Sequence, residues 1–254
     1  MKNHYLSLVT KLTLKEIKAR YKQSFFGFLW IIFNPFFQML IMSFVFSQII
    51  RFGNFGVPYA IFIYAGLLPW TFFSLSLTSS TGILIDNASL LKKIYFPREV
   101  FVLSTLLAKA FDFVLASLVF FLLMIYFKVP FTFYILFAIP IFLIQFLFTF
   151  SLGLLLSSLN LFYRDIQYIF NLLLSLWFYV TPVIYATEFF PEKYRWIFAY
   201  NPMSVFINAY RQVLLGGSAP NWESLGIGTG ISILFFFFSF YIFKTLEKVF
   251  ADVV

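Results

Sequence analysis

Residues 159–211, LNLFYRDIQYIFNLLLSLWFYVTPVIYATEFFPEKYRWIFAYNPMSVFINAYR, place a polar landmark at each end of an apolar span. Tyr163-Arg164-Asp165 stands where the span begins and Thr181-Pro182 where it stops. An amphipathic segment folded around Asn201-Pro202 follows before the chain turns apolar again. Groups that are costly in hydrocarbon collect at the margins of such a span. The layout is that of a membrane passage, not of a soluble core.

Composition extends that reading to the whole chain. Of 254 residues, 62% are hydrophobic and 11% charged, 41 are Phe, and the mean hydropathy is +0.92. A soluble domain of this length could not hide so much apolar surface, so the fold class is an all-α, polytopic integral membrane protein. Runs of about 20 apolar residues mark six transmembrane helices, at 28–50, 59–84, 100–127, 131–156, 166–185 and 225–243. With the N-terminus in the cytosol, twelve Lys and Arg fall on the inner side and five (Arg51, Lys128, Lys193, Arg195 and Arg211) on the outer, with Lys109 unassigned. Both termini are therefore expected in the cytosol. The first apolar run is too long for a signal peptide and is expected to be retained.

The net charge of +8 does not point to nucleic acid, because the basic residues lie in short segments between apolar runs, where membrane lipids are the partner. There is no Cys, and His4 is the only His, which argues against redox chemistry and a histidine metal centre. The sequence has no phosphate-cradling nucleotide loop and no catalytic triad signature. No cofactor is expected on this chain, and energy for uphill movement must come from elsewhere.

Several segments carry candidate roles. Lys11, Lys15, Lys18 and Lys22 recur at helical spacing beside a stripe of Leu14, Ile17, Tyr21 and Phe25. That pattern suits an interfacial helix, either a plain charged anchor or an in-plane gate. The loop 86–98, DNASLLKKIYFPR, predicts a short helix over 88–96 ended by Pro97, which either docks into another protein's groove or packs on its own bundle. Between the last two spans, Asn201 is a cap, Pro202 suits a first helical turn and Gly216-Gly217 a stop, predicting a helix over 202–215. With a shorter piece at 191–199 this makes an outer re-entrant hairpin. Glu188 and Glu192 read as solvated charges, and Lys109 with Asp112, three apart, as a pair or a snorkelling lysine. Phe33, Phe37 and Phe44 on the first span, with Phe170, Trp177 and Tyr185 on or beside the fifth, either face lipid or line a passage, since ring faces pack on sugar C–H surfaces.

Three blocks together resemble the ABC-2 type transport permeases, and among them the membrane subunits of bacterial O-antigen and other surface-polysaccharide exporters. They are LTLKEIKARYKQSFFGFLWIIFNP at 12–35, GLLPWTFFSLSLTSSTGILIDNASLLKKIYFPRE at 66–99, and the stretch 159–211. The resemblance implies a homodimer with a passage between subunits lined by the first and fifth helices, and two copies of a separate ATPase subunit carrying Mg-ATP. By position, 1–27 resembles the family's cytosolic gate helix, 86–98 its coupling helix and 187–221 its outer gate, with 244–254 as a cytosolic tail. Asn87, Leu91, Lys92, Lys93, Tyr95 and Phe96 would then serve ATPase coupling, Lys18, Arg20, Lys22 and Arg164 a lipid pyrophosphate at the cytosolic gate, and Asn201 and Pro202 the outer gate. The implied function is export of lipid-linked polysaccharide across the inner membrane. Teichoic acid, a capsular polymer or a smaller lipid or drug are alternative cargoes, and a membrane-embedded transferase is the alternative class.

Overall fold

The computed structural model describes residues 2–21, 27, 29–46, 56–93 and 96–250, without the side chains of 2–4, 20, 21 and 93. Among the described residues the fold is all helical, with no strand. Helix α1 (Lys2–Tyr21) precedes α2 (Leu29–Phe44), α3 (Tyr59–Asp86), the one-and-a-half-turn α4 (Ala88–Lys93) and α5 (Glu99–Tyr126). A 3₁₀ turn, Phe133–Phe137, leads into α6 (Ala138–Phe162), followed by α7 (Asp165–Val180), short α8 (Arg195–Tyr200), α9 (Pro202–Leu214) and α10 (Trp222–Leu246).

Four stretches, α3, α5, α6 with its 3₁₀ lead and α10 with its C-terminal turn, are 28 to 30 residues long and apolar enough to cross a membrane. α2 runs on from Phe44 as a π turn at 45–46, the last described residues before 56, whereas α7 has 16 residues, about 24 Å at 1.5 Å per residue, short of the roughly 30 Å hydrocarbon core. The expected fifth span over 166–185 thus ends as helix at Val180, because Thr181 turns extended ahead of Pro182, which is unsuited to a helix interior. The expected fourth span over 131–156 instead continues to Phe162. Polar Asn160 is tolerated there because its Nδ2 donates to the Thr81 carbonyl at 3.0 Å, and its Oδ1 accepts from the Gln167 amide at 3.1 Å.

α3 is the axis of the bundle, touching α2, α5, α6, α7 and α9. Lipid is as apolar as Leu, so the helices gain from close packing at small residues rather than from escaping water. Ser76, Ser80 and Thr81 of α3 are buried, as are Thr149, Gly153 and Ser157 of α6. A Cβ on Gly153 would stand 3.0 Å from Val102 Cγ1 and 3.4 Å from Ser80 Cβ, so glycine sets how closely α6 approaches its neighbours. Larger rings fill the rest of the core, with Phe73 stacked on Phe148 at 5.9 Å and Phe113 on Phe142 at 4.8 Å.

Both ends of the described chain meet at one end of the bundle. α1 packs on α5, while Lys244 near the end of α10 bridges Glu99 and Glu247 at 2.8 Å each. The Arg98 amide donates to Glu247 Oε1 at 3.0 Å, and its guanidinium reaches the Glu247 carbonyl. Burial first, and then the charge of Glu99, raise the Tyr5 phenol here, with Lys244 opposing. On α1, Val9 is buried and Leu12 packs on the core, whereas Leu14 of the predicted apolar stripe is exposed. An outward Leu14 suits contact with a membrane surface. Ile17 is half-buried, and nothing is described of Phe25 or of the Tyr21 side chain.

Candidate functional site

A groove of about 560 Å³ opens where α2, α3 and α7 meet. Its wall alternates amides and hydroxyls (Gln38, Ser74, Thr78, Asn171, Ser175) with the rings of Trp70, Phe178 and Tyr179. Thr78 Oγ1 donates to Asn171 Oδ1 at 3.5 Å, and Ser175 Oγ to the Asn171 carbonyl at 3.0 Å. Trp70 meets Phe178 edge to face at 5.5 Å. Gln38, Thr78, Ser175 and Tyr179 are exposed. Polar side chains that face outward from apolar helices are expensive in lipid, so this wall is suited to face water, a polar cargo or another protein surface. Sequence reasoning missed it, although a signal was present: Ser74 and Thr78, and likewise Asn171 and Ser175, are four residues apart on otherwise apolar helices, which aligns them on one face.

The aromatic candidates divide. Phe37 and Phe44 are exposed on α2, and Phe33 is half-buried with its ring 5.8 Å from Phe37. Phe170 is instead buried in the core, and Trp177 packs on Phe73 at 5.2 Å. Tyr185 lies beyond α7, packed on Phe190 at 5.0 Å, with its hydroxyl donating to the Tyr179 carbonyl at 2.7 Å. For Phe170 and Trp177 the α7 amphipathicity is decisive: the face that carries Phe170, Leu174 and Trp177 is the one turned inward.

At the end of the bundle that holds α1, the segment 86–98 is tied to its own protomer. Asn87 is buried, its Nδ2 donating to the Ile83 carbonyl at 2.9 Å and its Oδ1 accepting from Lys15 at 3.2 Å. Leu91 is buried among Ile83, Leu84 and Phe101, and Phe96 packs on Phe101 at 5.2 Å. Lys92 is exposed, and so are Lys18 and Arg164. The helix predicted over 88–96 spans Ala88–Lys93, with 94 and 95 outside the described residues. Lys22 and Tyr95, with the side chains of Arg20 and Lys93, also lie outside them.

The opposite end is closed by a network built on Asn201 and Arg211. Asn201 caps α9 as its sequence predicts, accepting from the Met203 amide at 3.1 Å with Pro202 in the first turn. The same side chain accepts from the Trp177 indole at 3.0 Å and donates to Thr181 Oγ1 at 3.0 Å, fastening α9 to the end of α7. Gly217, at φ 57°, ends α9 in the left-handed conformation expected of the Gly216-Gly217 stop. Arg211, counted above as one of five outer basic residues, is in fact buried. Its Nη1 donates to the Pro182 and Tyr185 carbonyls at 2.6 and 3.1 Å, and its Nη2 to Val183 and Phe62 at 2.6 and 3.4 Å. The guanidinium also lies 3.7 Å from the centre of the Phe62 ring. Gly66 makes room for it, since a Cβ there would stand 2.8 Å from both Arg211 Nη2 and the Val183 carbonyl. Glu192 is exposed and pairs with Arg195 at 3.5 Å, in keeping with its reading as a solvated charge.

Four helices long and apolar enough to cross a membrane, with an open polar-walled groove beside them, are the features of a multi-pass membrane protein. The chain belongs to the ABC-2 type transporter family, whose model matches residues 7–215. Membership implies an ATPase partner, as the sequence resemblance anticipated. The chain is 34% identical over 253 residues to the O-antigen export system permease protein RfbA of Klebsiella pneumoniae, covering 99% of this chain and 96% of the relative. It is 33% identical to the protein of the same name from Myxococcus xanthus, covering 98% and 95%. The polysialic acid transport protein KpsM of Escherichia coli is 23% identical, covering 94% and 93%.

Proposed function

We propose that the chain is the permease subunit of an ATP-driven exporter that carries lipid-linked polysaccharide of the O-antigen type from the cytosol across the bacterial inner membrane. Two copies form a passage at their seam, lined by α2 and α7, with both termini cytosolic and two ATPase subunits supplying Mg-ATP. The groove is the observation that carries this reading. It sets amide and hydroxyl side chains beside Trp70, Phe178 and Tyr179, the pairing that holds a hydroxylated ring weakly enough to let it slide. The nearly full-length likeness to O-antigen permeases supports the cargo.

In this mechanism the six spans are the four long helices with α2 and α7, α7 being shortened where it borders the passage. Residues 187–221 form the outer re-entrant gate, fastened by Asn201 and Pro202. The lipid pyrophosphate meets Lys18, Arg20, Lys22 and Arg164 at the cytosolic rim. The ATPase engages 86–98 at the exposed Lys92 and at Lys93 and Tyr95, which lie outside the described side chains, while Asn87, Leu91 and Phe96 pass its motion to α1, α3 and α5. Phe33, Phe37 and Phe44 face the cargo; Phe170, Trp177 and Tyr185 brace the wall from behind. The lower likeness to a polysialic acid transport protein makes a capsular polymer the second reading.

The test is to co-express the chain with its ATPase subunit, purify through a tag on one partner, and measure ATP hydrolysis with Lys92 and Tyr95 intact or replaced by Ala. A stable complex whose activity falls in the double variant supports the assignment. Failure to associate with the ATPase sinks it.

A further inference from the structure

A second polar cavity, of about 320 Å³, lies at the capped end of the bundle between residues 186–188, α8, α9 and the start of α10. It is at the small end of the roughly 300–1,000 Å³ range of small-molecule sites. Glu188, Arg195, Phe198, Asn208, Arg211 and Gln212 contribute to its wall. It lies within the segment assigned above as the outer gate, but Asn201 and Pro202 do not line it.

Two observations point to an occupant. Arg211, which lines the cavity, is only 8% exposed, and its buried Nε–H has no acceptor among the described residues. Asn208 is half-buried at the same wall. The cap fixes this wall in place, since Arg211 is held by four backbone carbonyls from α3 and from residues 182–185.

The charges decide the class of ligand. A phosphate needs uncommitted positive charge, but the Nη groups of Arg211 are spent on carbonyls. Arg195 is engaged by the Phe190 carbonyl at 3.3 Å and by Glu192. Glu188 adds a carboxylate whose field reaches Arg211. What remains is the exposed carboxylate of Glu188, the half-buried amide of Asn208 and the Nε2 of Gln212, whose Oε1 already accepts from the Asn221 amide at 2.8 Å, beside the Phe198 ring. That combination matches the hydroxyls and C–H face of a sugar. We propose that this cavity binds one neutral saccharide unit of the exported polymer as it emerges, through Glu188, Asn208 and Gln212 against the edge of Phe198. The inference rests on the polysaccharide-export reading. A unit held there resists slipping back into the passage.

The test uses the purified permease–ATPase complex in lipid nanodiscs and oligosaccharides released by mild acid from the surface polymer of the source bacterium. Saturation-transfer NMR reads binding to the wild type, to Asn208→Leu, which removes the amide at nearly the same shape, and to Glu188→Gln, which removes the charge. Thermal midpoints check that both variants fold. The expected result is saturation transfer in the wild type, about tenfold less in Asn208→Leu and a smaller loss in Glu188→Gln, as the hydrogen bonds are removed. Equal signals in all three, or displacement of the oligosaccharide by glycerol phosphate at lower concentration than by free sugar, overturn the assignment. Surface polymer in a strain deleted for this chain separates the two readings. If the wild type restores polymer while the NMR signals are equal, the cavity proposal alone falls. If it restores none, the export reading falls and the cavity proposal with it.

Discussion

Replacing Arg211 by Met removes the fastening of the outer segment while keeping an unbranched stem. Two of the four bonds lost are short, at 2.6 Å to the Pro182 and Val183 carbonyls, and no other described donor reaches either oxygen. Leaving two buried carbonyls unpaired costs about 1–3 kcal/mol each, from which relief of the buried guanidinium's own desolvation must be subtracted. The balance is a destabilisation of about 3 kcal/mol, which raises the opening equilibrium of residues 181–190 by about a hundredfold. Hydrogen exchange measures this directly at the amides of Phe189 and Phe190, which are bonded to Ala186 and Thr187 at 3.2 Å each. Arg211→Lys, with a point charge in place of a planar fork, should fall between the two. Exchange in Arg211→Met within twofold of the wild type would refute the fastening role.

Gly66→Ala brings a methyl to 2.8 Å from Arg211 Nη2 and should cost about 1–3 kcal/mol by displacing the same contact, whereas Gly226→Ala, with nothing within 4 Å, should be neutral or stabilising; thermal unfolding of the two compares them. Asn201→Ala loses the α9 cap and strands the Trp177 indole, together worth about 2 kcal/mol, so the midpoint should drop by about 5 °C and the tryptophan emission should shift. Lys128 turns the end of α5 at φ 56°, so Lys128→Gly should raise the midpoint by about 2–4 °C by relieving a left-handed side chain. An unchanged or lower midpoint there would mean that the lysine side chain outweighs the backbone term.

Signals that act locally were legible in the sequence. Asn201 and Pro202 start α9 and Gly216-Gly217 end it because a cap and a left-handed turn depend on a few neighbouring residues. The long apolar runs became α3, α5, α6 and α10 because burying backbone in lipid demands that each segment satisfy its own hydrogen bonds. The fourth span ran six residues beyond its expected end, since hydropathy charges Asn160 for leaving water without crediting the Thr81 carbonyl that receives it.

Sequence alone therefore determined the all-helical membrane class, the start and stop of α9, and the family. Which face of each helix turns inward was decided only by tertiary packing. Trp177 braces Asn201 instead of standing open on α7, Leu91 anchors 86–98 to its own bundle, and Arg211 is buried as a fastener. The physical reason is that a hydropathy pattern records the cost of moving a side chain out of water. The partner that offsets that cost, whether a carbonyl 29 residues back on Pro182 or one 149 residues back on Phe62, exists only once the helices are assembled.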